Sequence, residues 1–423
     1  MQRPTSLDAW LERLEQLHPS TIDLGLDRVR RVRENLGLMP DFPLIVVGGT
    51  NGKGSTCAYL EAILGAAGYK TGLYTSPHLL RYNERVKIAG REVSDAGLIA
   101  AFERVDKARG DISLTYFEFG TLGAMERFID AGVEVAILEV GLGGRLDAVN
   151  VFDAEVAVVS SIDLDHMDYL GDSREKIGFE KAGIYRAGHP AICVDPAPPD
   201  SLLAHARRIG ADLRCVNRDF SAQREGDRWI YRGLDTRLTD LPLPAMAGAC
   251  QLRNASGALA ALEAVRGRLP VSGEAIRQGL LAANVPGRFQ CIAQAPTVIL
   301  DVAHNPEAAR ALAATLRARP VGGRTLAVVG MLADKNAAGI FAVLGDEIDA
   351  WWTCTPRSPR AQQAEVLAAQ LRAQLGGVPI HVQPDVNSAL TEARSTAHED
   401  DRILVFGSFY TVAAVLEHAA TQH

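Results

Sequence analysis

Apolar runs of four or five residues, each followed by glycine or polar residues and then by a stretch of helical period, recur along this chain. Leu44 to Val47, the run ending at Glu139 and the run ending near Ser161 are continuously apolar rather than alternating, as strands are when both faces of a parallel sheet are covered. Helical spacing separates them. Two helices fall within residues 7–36, with Ser6 as a cap for the first; another runs from near Ser55 to about Gly68, and more run through residues 95–131. TGLYTS reads as a further strand, followed by an irregular arginine-rich piece, PHLLRYNERVKIAGREVS. The pattern predicts an α/β fold.

From residue 186 to 245 the pattern changes to mixed short strands punctuated by PAPPD and LPLPA, and helices resume at 248–266 and 273–283. Proline and glycine in NVPGRFQ (284–290) stop the preceding helix and predict a hinge. Beyond it a second alternation runs TVILDV, helix 306–318, RTLAVVG, helix, DAWWTCT, helix 361–374, PIHV, helix, RILVFGS and a final helix. Two doubly wound domains are expected, 1–285 and 297–423, with 286–296 as the linker. No internal repeat or low-complexity tract interrupts them.

Composition narrows the partners. With 423 residues, 47% hydrophobic and 22% charged, the chain has room for two ordinary domains. A net charge of -7 argues against a dedicated nucleic-acid binder and leaves small anions as the expected ligands. Cys57, Cys193, Cys215, Cys250, Cys291 and Cys354 form no C-x-x-C pair and are expected to be free thiols in a reducing compartment. The N-terminal amphipathic pattern is broken by charge and no run of eighteen apolar residues occurs, so neither signal peptide nor membrane partner is expected, and the cytoplasm is the expected location.

The turn after Leu44–Val47, GGTNGKGST, carries the first candidate chemistry. Its glycines let the backbone wrap an anion, the following helix N-terminus supplies partial positive charge, and Lys53 adds a full one. It departs from the common phosphate-loop pattern, because Val47 takes the place of the first glycine and Gly54 separates Lys53 from Ser55. A glycine-rich hairpin is the alternative, and a lysine flanked by glycines after a buried strand fits it poorly. Open parallel sheets bind ligands at the carboxyl ends of their strands, and the other strands deliver Ser76 and His78, Glu139, and Asp163, Asp165 and His166 there. Hydroxyl and carboxylate groups near a polyphosphate suit magnesium; the imidazole of His166 suits manganese better, and taken alone reads as a core or supporting histidine. Lys181, in GFEKAGIY, has apolar neighbours, and a buried lysine calls for a partner such as Glu175 or Asp172. Asp301, His304 and Asn305 follow a strand: they either meet a nucleotide or cap helix 306–318, which Asn305 before Pro306 suits. Arg28, Arg30, Arg31 and Arg33 form either a solvated helix face or an anion site.

The strings GTNGKGS, TSPHLLRYNERVKI, TYFEFGTL, LEVGLGGRLDAVN, DHMDYLG, EKAGI, QLRNA, PGRFQ, DVAHNP, GMLADKN and GSFYTV, in this order, resemble the bacterial folylpolyglutamate synthase/dihydrofolate synthase family of the muramyl-peptide ligase superfamily. The resemblance implies an N-terminal P-loop ATPase-like domain of the Mur ligase type and a C-terminal Rossmann-like domain. It implies ATP-dependent amide formation: a pterin substrate's carboxylate takes the γ-phosphate, and the amine of L-glutamate attacks the acyl phosphate. By resemblance, Asn51, Gly52, Lys53, Gly54, Ser55 and Thr56 hold ATP, together with Asn254, Arg288 and Asp301, which close on it across the domain gap. Ser55, Ser76, Glu139 and His166 are similar to ligands of one of two Mg2+ ions, for which Mn2+ can stand in. Lys181 resembles a lysine carbamylated to serve the second ion, which reverses the ion-pair expectation above. Thr115, Phe117, Asp147 and Ala148 resemble pterin-pocket positions, the piece from Arg81 to Arg85 a mobile substrate loop, and His304 and Ser408 contacts of the incoming glutamate.

Lys53, Lys181 and His304 are thereby the expected catalytic positions, and ATP, dihydropteroate, folates and L-glutamate the expected small-molecule partners of a monomer. Asn336 departs from the family pattern where aspartate is expected, although Asp334 and Lys335 persist. TYFEF and LDA look like those of enzymes that act on both dihydropteroate and folates; an enzyme confined to folates is the nearest alternative. A cell-wall ligase of the superfamily is disfavoured by the short stretch before the phosphate loop. A nucleotide-binding switch leaves Lys181 and the second domain without a role.

Overall fold

The continuous apolar runs are strands buried on both faces. The computed structural model describes residues 4–421; residues 1–3 and 422–423, which the expected domain bounds include, lie outside the described residues. The chain divides into two units, Met1–Ala245 with Leu252–Asn284, and Met246–Gln251 with Val285–His423.

In the first unit the strands are β1 (Leu44–Gly48), β2 (Thr71–Tyr74), β3 (Val86–Ile88), β4 (Arg91–Glu92), β5 (Val135–Glu139), β6 (Val156–Val159), β7 (Pro190–Cys193) and β8 (Asp212–Cys215). Among the described residues they form one sheet in the order β4-β3-β2-β5-β1-β6-β7-β8. The pairs from β2 through to β8 are parallel, whereas β3 and β4 add to one edge as antiparallel strands. β1 is therefore central. Its register sets Val47 beside Glu139 on one side and Gly48 beside Val159 on the other, so the turn that leaves β1 emerges among the ends of β5 and β6.

Two stretches differ from the sequence reading. The arginine-rich piece is not irregular throughout: a 3-10 turn at Tyr82–Arg85 leads into β3 and β4. Asn83 pins it, donating from Nδ2 to the Val93 carbonyl and to Asp95 Oδ1, each at 2.8 Å. After residue 186, β7, the helix Asp200–Ile209 and β8 continue the parallel sheet, and the expected mixed strands begin only beyond Cys215. There β9 (Ser221–Glu225), β10 (Arg228–Arg232) and β11 (Arg237–Pro242) make a separate antiparallel sheet. Proline punctuation around a four-residue strand hid the αβ repeat in the sequence.

The second unit holds β12 (Gln290–Gln294), β13 (Thr297–Asp301), β14 (Thr325–Val329), β15 (Ala350–Thr353), β16 (Ile380–Val382) and β17 (Arg402–Phe406), in the order β12-β13-β17-β14-β15-β16. All pairs are parallel except β12 with β13. Much of the expected linker 286–296 is thus an edge strand of the second sheet, because its half-buried residues pair with β13. Met246–Gln251 also belongs to this unit, where the Ala249 N–H donates to Thr315 Oγ1 at 3.1 Å.

Ser6 caps helix Leu7–Gln16 as expected, its Oγ accepting from the Ala9 N–H at 3.2 Å. The helix Lys53–Ala66, which starts at the phosphate-type loop, is held against helix Gly273–Ala282 at Gly279. A Cβ there would lie 2.5 Å from Ile63 Cα. Gly279→Ala gains up to about 1 kcal/mol of helix propensity but forces two backbones apart, which costs roughly 1–3 kcal/mol. A net loss of stability is expected in urea unfolding; an unchanged midpoint would mean that this contact does not set the position of the loop helix.

Candidate active site

The loop Gly48–Gly54 is fastened to the end of β6 rather than left to wander. The Thr50 N–H donates to the Ser161 carbonyl at 2.7 Å, and the Asn51 N–H to Ser161 Oγ at 3.0 Å. Ser160 Oγ and Ser161 Oγ both donate to the Asn51 carbonyl, at 2.7 and 3.1 Å. Thr50 Oγ1 donates to the Asp163 carbonyl and accepts from the Asp163 N–H. Ser160 and Ser161 thus position the loop, a part that motif reading did not give them; two adjacent serines at a strand's carboxyl end were the signal. At the centre Gly52 has φ 87°, and a Cβ there would lie 2.6 Å from Asn254 Oδ1, so glycine is required twice over. Asn254 is thereby brought onto the loop from far along the chain. Lys53 Nζ donates to the Gly49 and Thr50 carbonyls, both at 3.1 Å. The Thr56 hydroxyl turns back to the Gly52 carbonyl, within the first helical turn.

Glu139 ends β5 and is buried beside this loop, with its two carboxylate oxygens about 3.8 Å from where a Gly54 Cβ would sit. Its Oε2 accepts from the Ser76 N–H at 3.1 Å, so Glu139, Ser76 and the loop that carries Ser55 come together. His166 lies on the loop held by Thr50 through Asp163, at φ 50°. A non-glycine residue in that left-handed region is uncommon and tends to mark a functional loop. Its N–H donates to Asp165 Oδ1 at 2.9 Å. Among the described residues no three histidine, cysteine or acidic side chains gather as a closed metal cage. The donors present are hydroxyls, one buried carboxylate and an imidazole, an open set of mainly hard oxygen ligands that fits a cation sharing its shell with phosphate and water.

Lys181 is buried on helix Arg174–Ala182. Of the acidic residues near it in sequence, Glu175 accepts from the Asp200 and Ser201 N–H groups, and Asp172 pairs with Lys176 at 2.9 Å. Arg174 ties this helix to the β6 loop, donating to the Ile162 carbonyl and to Asp195, which also accepts the Ile162 N–H at 2.7 Å.

The pocket candidates meet at the start of helix Tyr116–Ala131. Thr115 caps it, accepting from the Glu118 N–H, while Glu118 accepts the Thr115 N–H at 2.7 Å and pairs with Arg28 at 3.0 Å. One member of the arginine cluster is thus structural. The Phe117 ring lies against the glycine turn after β5, 2.7 Å from where a Gly141 Cβ would be. That turn surrounds Asp147, whose oxygens accept from the Leu142 and Val149 N–H groups at 2.8 and 3.0 Å, with Ala148 buried beside it. Burial raises the Asp147 carboxyl to about 7 in spite of these donors. Arg81 is more open, its guanidinium paired with Glu92 at 2.5 Å. Arg85 stacks over Tyr82 and Tyr116 and donates from Nε to His78 Nδ1 at 2.7 Å. Burial, reinforced by that guanidinium, lowers His78 to about 4 and keeps it neutral at ordinary pH.

In the second unit Asp301 ends β13 and accepts from the Phe289 and Ala303 N–H groups at 2.9 and 2.8 Å. Burial raises its carboxyl, with the Arg288 guanidinium opposing. Arg288 lies over the Phe409 ring at 5.9 Å, and the His304 ring stands 6.1 Å from the same phenyl, so Phe409 organises two predicted residues without having been predicted itself. His304 Nδ1 lies 2.9 Å from the Val302 carbonyl; a carbonyl only accepts, so Nδ1 is the donor of this pair. Asn305 caps helix Pro306–Arg317 and Asn336 caps helix Ala337–Leu344. A cap is what asparagine supplies in place of the aspartate expected at residue 336. Ser408 is buried, its Oγ 2.7 Å from Thr411 Oγ1.

Family models match both halves of the chain: the Mur ligase middle domain over residues 47–198 and the Mur ligase glutamate ligase domain over residues 287–409. The dihydrofolate synthase/folylpolyglutamate synthase of Escherichia coli (strain K12) is 47% identical over 417 residues, which cover 98% of this chain and 96% of that protein. The solved E. coli FolC in complex with DHPP and ADP has a TM-score of 0.95 at 46% identity, covering 100% of this chain and 99% of that one. A bifunctional folylpolyglutamate synthase/dihydrofolate synthase with Mn, AMPPNP and L-glutamate bound gives 0.91 at 46% identity, covering 99% of this chain and all of that one.

Asp147 offers a direct test of the pocket's electrostatics. Its carboxyl rises from 3.8 to about 7 on folding, so the folded chain holds the proton more tightly. Its contribution therefore favours folding at low pH, declines as pH rises from about 4 to about 7, and is level above that. Relative to Asp147→Asn, wild type should lose roughly 1–3 kcal/mol of urea stability between about pH 5 and about pH 8. A difference that is flat with pH would return this carboxyl to the ordinary range.

Proposed function

The chain belongs to the dihydrofolate synthase/folylpolyglutamate synthase family of Mur ligases, and on that premise we propose that it joins L-glutamate to 7,8-dihydropteroate and to the glutamate tail of folates at the expense of ATP. The observation that carries this reading is the near full-length match at 47% identity, joined to a glycine loop clamped beside a buried carboxylate.

The chemistry explains why such a site needs no nucleophilic side chain. A carboxylate is a poor electrophile because oxide does not leave; once phosphorylated it loses phosphate readily to an amine. What remains for the protein is alignment and charge neutralisation. In this assignment the loop Asn51 to Thr56, through the backbone N–H groups of Gly52 to Ser55, binds the triphosphate together with the Lys53 ammonium and the Asn254 amide, while the Asn51 and Thr56 N–H groups hold the loop's shape. Ser55, Ser76, Glu139 and His166 would hold a divalent cation, magnesium or manganese, which neutralises phosphate charge. A carbamate on Lys181 would offer oxygens to a second ion and remove the cost of a buried ammonium. Phe117 gives a flat ring an aromatic face, and Asp147, with Thr115 and Ala148 at its sides, accepts from or donates to the ring's amide edge according to its protonation. Arg81 attracts the acidic tail. Arg288 and Asp301 serve ATP, while the His304 ring and Ser408 serve the amine and carboxylates of L-glutamate. We assign the enzyme as a cytoplasmic monomer; among the described residues no helix is long and apolar enough to cross a membrane.

Phosphate release with ATP, magnesium and L-glutamate tests the reading, with 7,8-dihydropteroate and tetrahydrofolate as alternative acceptors. Turnover with both is expected; turnover with tetrahydrofolate alone would restrict the enzyme to folates and remove the pterin-pocket assignment. Lys181→Ala should lower kcat by on the order of 10²–10³ and recover in part with added short carboxylic acids. Undiminished activity would show that the lysine carries no carbamate role.

A further inference from the structure

Two cysteines that the ligase chemistry does not use are paired across the edge of the first sheet. β7 ends at Cys193 and β8 at Cys215, and the parallel register makes them direct partners. Paired residues on neighbouring parallel strands send their side chains to the same face. Strands lie about 4.7–4.9 Å apart, inside the Cα window of about 4.4–6.8 Å that a disulfide spans. Both cysteines are free thiols.

The two are not equivalent. Cys193 is wholly buried, whereas Cys215 keeps 5% exposure on the edge strand. The neighbouring Cys193 thiol and the Arg218 guanidinium lower Cys215, while the Cys215 thiol and burial raise Cys193. Attack by a thiolate requires a sulfur that ionises and is reachable, and a neighbouring thiol to resolve the product. Both are buried in the core, Cys215 on the edge strand being the less enclosed of the two and the one whose thiol is lowered, so it is the side from which a molecule as small as a peroxide enters, and Cys193 supplies the resolving thiol.

We propose that Cys193 and Cys215 form an oxidation site at which a peroxide produces a reversible intrachain disulfide. The Cys215 thiolate attacks one oxygen of hydrogen peroxide, the O–O bond breaks, and the departing hydroxide takes up the thiol's proton as water, which leaves Cys215 as a sulfenic acid. Cys193 sulfur then attacks the Cys215 sulfur, the S–O bond breaks, and hydroxide leaves with the Cys193 proton as a second water. Two thiols and one peroxide become one disulfide and two waters; sulfur is oxidised by two electrons and peroxide is reduced. Such a bond fits a reducing compartment, where disulfides are transient.

The full-length protein is treated with graded hydrogen peroxide, quenched in acid, denatured, alkylated with iodoacetamide and mapped by peptide mass without reduction. Cys193 and Cys215 should be lost from the alkylated pool together, appear in one cross-linked peptide lighter by two hydrogens, and return after dithiothreitol, while the buried Cys57 and Cys354 stay alkylated. In Cys193→Ser, which removes the resolving thiol, dimedone should label Cys215 at several times the wild-type yield. The proposal is overturned if exposed Cys291 oxidises while Cys193 and Cys215 both remain alkylatable, or if Cys215 in the wild type proceeds to sulfinic acid without a cross-link. The wild-type map decides the matter whether or not the variant folds.

Discussion

The hydrogen bonds that fasten the Gly48–Gly54 loop to the carboxyl end of β6 are the constraint on which the first unit's site depends. A glycine-rich loop has the most conformational freedom to lose on ordering, so a loop shaped for an anion must be held by something outside itself. Here Ser160, Ser161 and the Asp163 backbone hold it from one side, and the Asn254 amide closes over Gly52 from another. Because β1 lies between β5 and β6, the same register that delivers the loop also delivers Glu139 and the His166 loop to it. Preorganisation is therefore a property of the sheet order rather than of the loop.

The buried ionisable groups follow from that architecture. Asp147 sits inside a turn whose N–H groups converge on it, yet burial outweighs them and leaves a carboxyl that titrates near neutral pH. His78 is pushed the other way by burial and by Arg85, which makes it a fixed neutral acceptor. Lys181 differs from a surface lysine in being buried on its helix, Arg174–Ala182. Two groups shifted from their ordinary state, His78 and Asp147, lie in the segments that follow β2 and β5.

Several positions read as chemistry in the sequence have structural work to do as well. Asn305 and Ser408 satisfy helix N-termini, Arg28 supports the capping box of the helix that carries Phe117, and Asn336 replaces an expected acid with a cap. A substitution at any of these would alter local order along with any ligand contact. The readings are compatible, because a side chain that anchors a helix N-terminus also aims that terminus.

What the sequence by itself determined was the local and periodic part: continuous apolar strands, the helices between them, the glycine loop after β1, the Ser6 and Asn305 caps, and the family to which the motifs point. These follow from residue type and spacing over a few residues, which is where propensity and patterning act. Tertiary structure alone decided which distant residues meet. It laid Asn254 on Gly52, Phe409 between Arg288 and His304, and Cys193 opposite Cys215. It also turned the expected linker into β12 and the proline-broken stretch after residue 186 into two further parallel strands. Strand order and register are set by the burial of whole faces against one another, an energy summed over the unit, and no short window of sequence contains that sum.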